Sequence, residues 1–223
     1  MAMLSNLELI RRVPLFSQLT PAQSELIAGS VAKRRFRRGE IIVEQGKKTN
    51  ALFILLTGRA RVVTADARGR EVILASLSSG DHVGEMSLID NDPHSATVRA
   101  ETQVDALVLG RAEFARCLPE NTSMAYAVMR GLVQRLRHAD RKIESLALLD
   151  VYGRVARSLL DAAEDIGGEK VIRNKVSRQD LAKMVGASRE MVSRVMKDLE
   201  ERGFVTPRPD GTTVVVERLT TLG

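Results

Sequence analysis

Residues 177–205 read SRQDLAKMVGASREMVSRVMKDLEERGFV, and this stretch decides the fold around it. Ser177-Arg178-Gln179-Asp180 resembles a capping box, in which the serine hydroxyl accepts a first-turn amide. Leu181, Ala182 and Val185 then face inward, and Gly186-Ala187 makes a tight turn. Ser188 can cap a second helix that runs to Arg202 and is ended by Gly203. At about 100° per residue from Arg189, the residues Arg189, Glu190, Ser193, Arg194 and Lys197 fall within roughly 0–140°. By the same step Val192, Val195, Met196 and Leu199 fall within roughly 240–340°. One face is therefore core, and the opposite face carries two arginines, a glutamate and a lysine. Such a face fits the major groove of duplex DNA. There arginine bonds guanine O6 and N7 bidentately, and glutamate accepts from cytosine N4.

Working outward, Thr206 to Val216 reads as a small hairpin turning at Asp210-Gly211. Upstream, a helix is expected over Val151 to Asp165, stopped by Gly167-Gly168. Before it, Met129, Leu132, Leu136, Ala139, Ile143 and Leu146 step by alternating threes and fours along a helix of about Pro119 to Leu149. That is the seam of a coiled coil, and a long helix with one narrow apolar seam pairs with its twin. From Ala32 to Leu109 the texture changes to short β runs: Glu40–Val43, Leu52–Leu56, Ala60–Val63, Val72–Leu77 and Ala96–Val98. Gly39, Gly46, Gly58, Gly69 and Gly80 punctuate them, as in a compact antiparallel barrel or roll. Leu7 to Ser30 reads as short helices, with Thr20-Pro21 as an N-cap followed by a first-turn proline. The expected organisation is α+β: a β-roll over residues 1–118, a dimerisation helix over 119–149, and a winged helix-turn-helix over 150–223.

Composition narrows the function classes. The 223 residues carry a formal net charge of +6, and the excess is local. Lys170 to Arg208 holds ten Lys or Arg against five Asp or Glu, whereas Asp150 to Glu169 is net acidic. Local basicity in a helical segment suits duplex DNA. Aromatics make up 3% with no Trp, which disfavours stacking on single strands. The single cysteine, Cys117, excludes a disulfide framework or a multi-cysteine cluster within the chain and reads as a packing residue. Met1 to Arg12 has neither a long apolar core nor a small-residue cleavage site, so a cytoplasmic protein without membrane contact is expected.

The 177–205 stretch, preceded by LALLDVYGRVARSLL at 146–160, closely resembles the Crp/Fnr family of transcription regulators, in its catabolite-activator branch. The likeness runs from Leu15 to Val216. It implies a cyclic-nucleotide-binding-like jelly roll, a dimerisation helix and a winged helix-turn-helix on a palindromic TGTGA-like site, with RNA polymerase as a further partner. It implies that Arg189, Glu190 and Arg194 read bases, with Ser193, Lys197, Arg178 and Ser188 completing the interface. The two-half-site geometry is the one generally described for this family's founder.

Residues 78–100, SSGDHVGEMSLIDNDPHSATVRA, resemble the family's phosphate-binding cassette. Gly84 allows a close backbone approach, Glu85 can bind a ribose 2′-hydroxyl, and Ser95 with nearby amides can hold phosphate oxygens. Met86, His94 and Ala96 complete this side of the expected effector site. Two features depart from the cyclic AMP pattern. The family's arginine before the serine is here His94, which is mostly neutral near pH 7 and cannot form the planar fork. The adenine-contacting Thr-Ser pair aligns with Ala139 and Asp140. The expected effector is cyclic di-GMP or cyclic AMP, with ligand-independent DNA binding as the third possibility. Arg34, Arg35, Arg37, Arg38 and Arg99 are candidates to meet a larger anionic nucleotide.

An alternative reading is a nucleotide-binding regulatory subunit that acts on a protein partner without DNA. No P-loop, Ser/His/Asp order or paired catalytic carboxylates are found, so no catalytic residue is assigned. His82, Glu85 and His94 form a zinc-type ligand set, but their spacing follows the cassette more simply, and no metal is assigned.

Overall fold

The computed structural model describes residues 5–13, 16, 19–120, 122–173 and 176–216, without the side chains of 12, 116–120 and 122–124. Residues 1–4, from the expected absence of a leader, and the Cys117 side chain lie outside that description. The chain forms two compact units, Met1–Arg135 and Leu136–Gly223.

The first unit opens with helices α1 (Asn6–Arg12) and α2 (Pro21–Ser30). Thr20 caps α2 as expected: its hydroxyl accepts from the Gln23 amide, Gln23 reaches back to the Thr20 amide, and Pro21 stands in the first turn. Strands β1 (Val31–Phe36), β2 (Ile41–Val43), β3 (Ala51–Thr57), β4 (Ala60–Ala65), β5 (Glu71–Leu77) and β6 (His82–Val83) follow. Then come helix α3 (Glu85–Asp90) and strands β7 (Thr97–Ala100) and β8 (Val104–Gly110). They make two antiparallel sheets, β1-β8-β3-β6 and β2-β7-β4-β5.

The central strands of the first sheet, β3 and β8, are largely apolar because both of their faces are covered, Asp105 being the charged exception. Along β3, Leu52 and Ile54 join Ile10, Phe16, Ile27, Phe114 and Val128 on the helical side. Phe53 and Leu55 join Phe36, Val98 and Ala106 inside the roll. β8 alternates in the same way, with Leu107 and Leu109 outside and Val104 and Ala106 inside. Phe36 and Phe53 meet edge to face, with centroids 6.0 Å apart. Each fully buried side chain of this kind contributes about 1.5–3 kcal/mol relative to exposure.

Helix α4 (Arg111–Glu120) leads towards α5 (Thr122–Leu148). Pro119 therefore falls within α4 and does not open the long helix as the sequence led us to expect. Element ends near a proline depend on backbone bonds that its ring cannot make. Along α5, Met129, Leu136, Ala139, Ile143 and Leu146 are exposed, while Leu132 packs against the helical-side core.

The second unit contains α6 (Val151–Asp161), β9 (Glu164–Ile166), β10 (Glu169–Ile172), α7 (Arg178–Val185), α8 (Arg189–Glu201), β11 (Val205–Pro207) and β12 (Thr213–Val215). Its sheet order is β11-β12-β10-β9. The helix expected to reach Asp165 ends at Asp161, and the next residues form a hairpin. Gly167 and Gly168 both take positive φ, the requirement of a two-residue hairpin turn, so they turn strands here and do not stop a helix. Val155, Leu159, Ile172, Leu181, Val185, Val192, Leu199, Val205 and Val215 form this unit's core. Among the described residues no helix is long and apolar enough to cross a membrane.

Candidate nucleic-acid interface and effector site

The α7–α8 pair is assembled by local chemistry. Ser177 caps α7 by accepting from the Asp180 amide at 3.0 Å, and Ser188 caps α8 by accepting from the Met191 amide at 3.2 Å. Between them Gly186 sits at φ 66°, ψ 43°, a left-handed setting that side chains resist. On α8 the residues Val192 and Leu199 are buried and Val195 and Met196 pack beside them. Arg189, Glu190, Arg194 and Lys197 are all exposed on the other face. Neither Arg189 nor Arg194 takes part in an ion pair among the described residues, and Lys197 makes only a loose one with Glu201 at 3.5 Å. Ser193 donates to the carbonyl of Arg189, which holds it close to the helix.

Arg178 behaves differently from the other predicted interface residues. Its Nη2 donates to Glu200 Oε1 at 2.9 Å, and its Nη1 is buried with no hydrogen-bond partner among the described residues. Tyr152 on α6 donates to Asp198 Oδ2 at 3.0 Å, and Arg202 reaches both from 3.4 Å while stacking over Phe204. Sequence reasoning passed over Tyr152 and Asp198. The available signal was two carboxylates, Asp198 and Glu200, placed at the margins of the reading face.

The cassette residues lie in the first unit. Gly84 caps α3 at φ 100°, and a Cβ there would lie 2.5 Å from the Ala51 carbonyl oxygen. The close approach it permits is thus to the chain's own β3. Glu85 is fully buried, with Oε1 accepting from Arg135 Nη1 at 2.5 Å and Oε2 unpartnered among the described residues. Arg135 also donates to the His82 carbonyl. Burial pushes the Glu85 carboxyl up from its ordinary range, against the pull of Arg135. His82 packs against Gly131, where a Cβ would meet Cε1 at 3.0 Å, and its Nε2 is buried without a partner among the described residues. Burial, helped by the Arg135 cation, takes its pKa down to about 4. Met86 is exposed, and the α3 helix around it was not foreseen.

His94 is buried and shares a 2.7 Å hydrogen bond through Nε2 with Thr49 Oγ1, while its backbone pairs with Gly46 and Lys47. Burial lowers its pKa, so the ring is neutral near pH 7. Ser95 is exposed beside it and Ala96 is buried. Ala139 and Asp140 belong to the second unit, where both are exposed.

Three of the arginines considered for a larger nucleotide are engaged within the chain. Arg35 is bonded to Asp105, Arg99 to Glu71, and Arg34 lies over Phe36. Among the described residues no group of three His, Cys, Asp or Glu side chains could hold a metal. Arg135 went unnoticed in the sequence, although it stands three residues after Leu132 on the flank of the α5 seam.

Comparison with known proteins matches both units. Residues 33–121 match the cyclic nucleotide-binding domain, and residues 153–222 the Crp-like helix-turn-helix domain. The chain is 35% identical over 191 residues to the cAMP-activated global transcriptional regulator Vfr of Pseudomonas aeruginosa, covering 82% of this chain and 88% of Vfr. It is 31% identical over 179 residues to the cAMP-activated global transcriptional regulator CRP of Escherichia coli, covering 78% and 84%. Among solved structures, the c-di-GMP-responsive global regulator CLP of Xanthomonas campestris superposes with a TM-score of 0.74 at 29% identity, covering 88% of this chain and 99% of CLP.

Proposed function

Because the chain belongs to the Crp/Fnr family of transcription regulators, we propose that it is a homodimeric, sequence-specific DNA-binding regulator governed by its β-roll. The observation that carries this reading is the outer face of α8. Arg189, Glu190 and Arg194 project from a capped helix whose other face is core, and the two arginines are committed to no ion pair among the described residues. In this reading Arg189, Glu190 and Arg194 read a TGTGA-like half-site, with Ser193, Lys197 and Ser188 beside them. Arg178 is bonded to Glu200 of α8. The exposed seam of α5 supports pairing through residues 119–149, the middle segment between the roll (1–118) and the helix-turn-helix (150–223). Contact with RNA polymerase and a cytoplasmic location belong to the same reading.

The effector is a nucleotide held by the cassette, Gly84, Glu85, Met86, His94, Ser95 and Ala96. The Glu85 Oε2, without a partner among the described residues, fits a sugar hydroxyl, which would satisfy a buried acceptor. The neutral, Thr49-bound His94 does not supply the charged fork that an arginine would offer a cyclic phosphate. Cyclic AMP and cyclic di-GMP, the ligands in the names of the relatives above, are the two to be tested.

Fluorescence anisotropy of a labelled palindromic TGTGA-type duplex, at one fixed salt, tests the whole reading. Arg189→Ala should cost roughly 1–3 kcal/mol and relax preference at one base. Equal weakening on every duplex sequence would count against base reading by Arg189. Titration with cyclic AMP, with cyclic di-GMP and with neither then assigns the effector. Tight binding only with cyclic AMP would mean that His94 is tolerated in the arginine's place and would overturn the argument against cyclic AMP.

A further inference from the structure

Apolar packing decides which face of a helix is buried, and directional hydrogen bonds can set its rotation more finely. Helix α8 has an additional constraint. On the wheel set from Arg189, Asp198 falls at about 180° and Glu200 at about 20°. The centre of the reading face lies near 70° on the same wheel. The two carboxylates therefore sit on opposite sides of that centre, both in the last two turns of α8. Each is bonded to a different neighbouring helix: Asp198 to Tyr152 of α6, and Glu200 to Arg178 of α7.

We propose that Tyr152 and Arg178 are positioning residues for DNA reading, which fix the rotational setting of α8 through Asp198 and Glu200. With side chains included, the helix has a radius of about 5–6 Å, so a turn of about 20° moves a side-chain tip by about 2 Å. That displacement breaks a hydrogen bond of 3.0 Å or 2.9 Å on one flank or the other. It would also take Arg189 and Arg194 out of bidentate register with a base edge, while their charges would still face phosphates. Loss of the clamps thus lowers discrimination more than it lowers attraction to DNA. Arg202, in reach of both Tyr152 and Asp198, holds the first clamp's carboxylate in place.

This inference rests on α8 being the reading helix. The test uses the full chain, with anisotropy on the palindromic duplex and on a scrambled duplex of equal length. Both are measured across a salt series, in whichever effector condition gives wild type its best selectivity. Tyr152→Phe, which removes one hydroxyl, should lower the specific-to-scrambled affinity ratio about three- to tenfold, the effect of one hydrogen bond, with the scrambled affinity and salt slope unchanged. Arg178→Met should lower the ratio likewise, and the exchange Arg178→Glu with Glu200→Arg should restore it. Asp198→Asn keeps an acceptor for Tyr152 and should keep most of the selectivity. Melting curves for each variant set the assay temperature below its transition, so that a folding defect is read separately.

Unchanged ratios in Tyr152→Phe and Arg178→Met would overturn the proposal while leaving α8 as the reader. A shallower salt slope in Arg178→Met, unrepaired by the exchange, would make Arg178 a phosphate contact and overturn its positioning role. A wild-type protein that does not distinguish the two duplexes would instead remove the reading-helix premise itself.

Discussion

Replacing His82 with phenylalanine removes a buried imidazole whose pKa is held at about 4, against an ordinary 6.5, by burial and by the neighbouring Arg135 cation. The unfolded chain takes up this proton first as pH falls. Stability is therefore intact above the unfolded value and declines by about 1.36 kcal/mol per pH unit from roughly pH 6.5 until the folded value near 4 is reached. At about pH 5 the deficit is roughly 2 kcal/mol relative to neutral pH. Glu85, whose pKa is raised, works in the opposite sense, because its folded carboxyl binds the proton first. It is present in both proteins, as is His94, so the comparison with His82→Phe isolates the imidazole. The assay is urea unfolding followed by circular dichroism at about pH 7.5 and about pH 5, at one protein concentration because subunit association adds to apparent stability. Wild type should lose about 2 kcal/mol more than His82→Phe between the two conditions. Parallel losses in the two proteins would refute the assignment of the acid-side limit to His82.

Gly84→Ala forces a positive φ on alanine and drives its Cβ to 2.5 Å from the Ala51 carbonyl, so a loss of about 2–4 kcal/mol is expected in thermal or urea melts. Arg135→Met leaves Glu85 buried without its cation and should cost about 2–4 kcal/mol, discounted because Arg135 is partly exposed. Adding Glu85→Gln should recover at least half of that loss, and failure to do so would mean that Arg135 stabilises by packing alone. Leu136→Glu combined with Ile143→Glu puts charges on the exposed α5 seam, and sedimentation should then report monomers that bind a single half-site more weakly.

What could be read directly from the sequence was local. Ser177, Gly186 and Ser188 act on neighbours within a few residues, so α7, the turn and α8 follow from spacing alone. The exposed row on α5 is equally legible, because helical periodicity repeats without reference to the rest of the chain. The hairpin after α6 was not, since β9 is largely acidic and buries none of its residues, and Gly167-Gly168 serves a helix stop and a hairpin turn equally well. β6 and α3 were also hidden. A two-residue strand exists only through its pairing with Phe53 and Ile54, and the six-residue α3 depends on Gly84 at one end and Arg111 at the other. The bond from Arg135 to Glu85 spans fifty positions, and no periodicity announces such a pair. His94 was recognised as a departure by type, but only its pairing with Thr49 reveals that it turns inward.

The alternation along β3 has a further consequence. Leu52 and Ile54 belong to the cluster that includes Val128 and Leu132 of α5, whereas Phe53 and Leu55 belong to the lining of the roll. The partition between the two compartments is thus a single strand thick, and consecutive residues answer to different sides of it. A close-packed wall of this kind has little slack to absorb displacement. Any occupant that pushes Phe53 or Leu55 outward shifts the backbone they share with Leu52 and Ile54, and with it the bed on which the start of the long helix rests. Packing on both sides of the wall depends on the same few side chains, so a substitution in β3 that loosens one side will loosen the other.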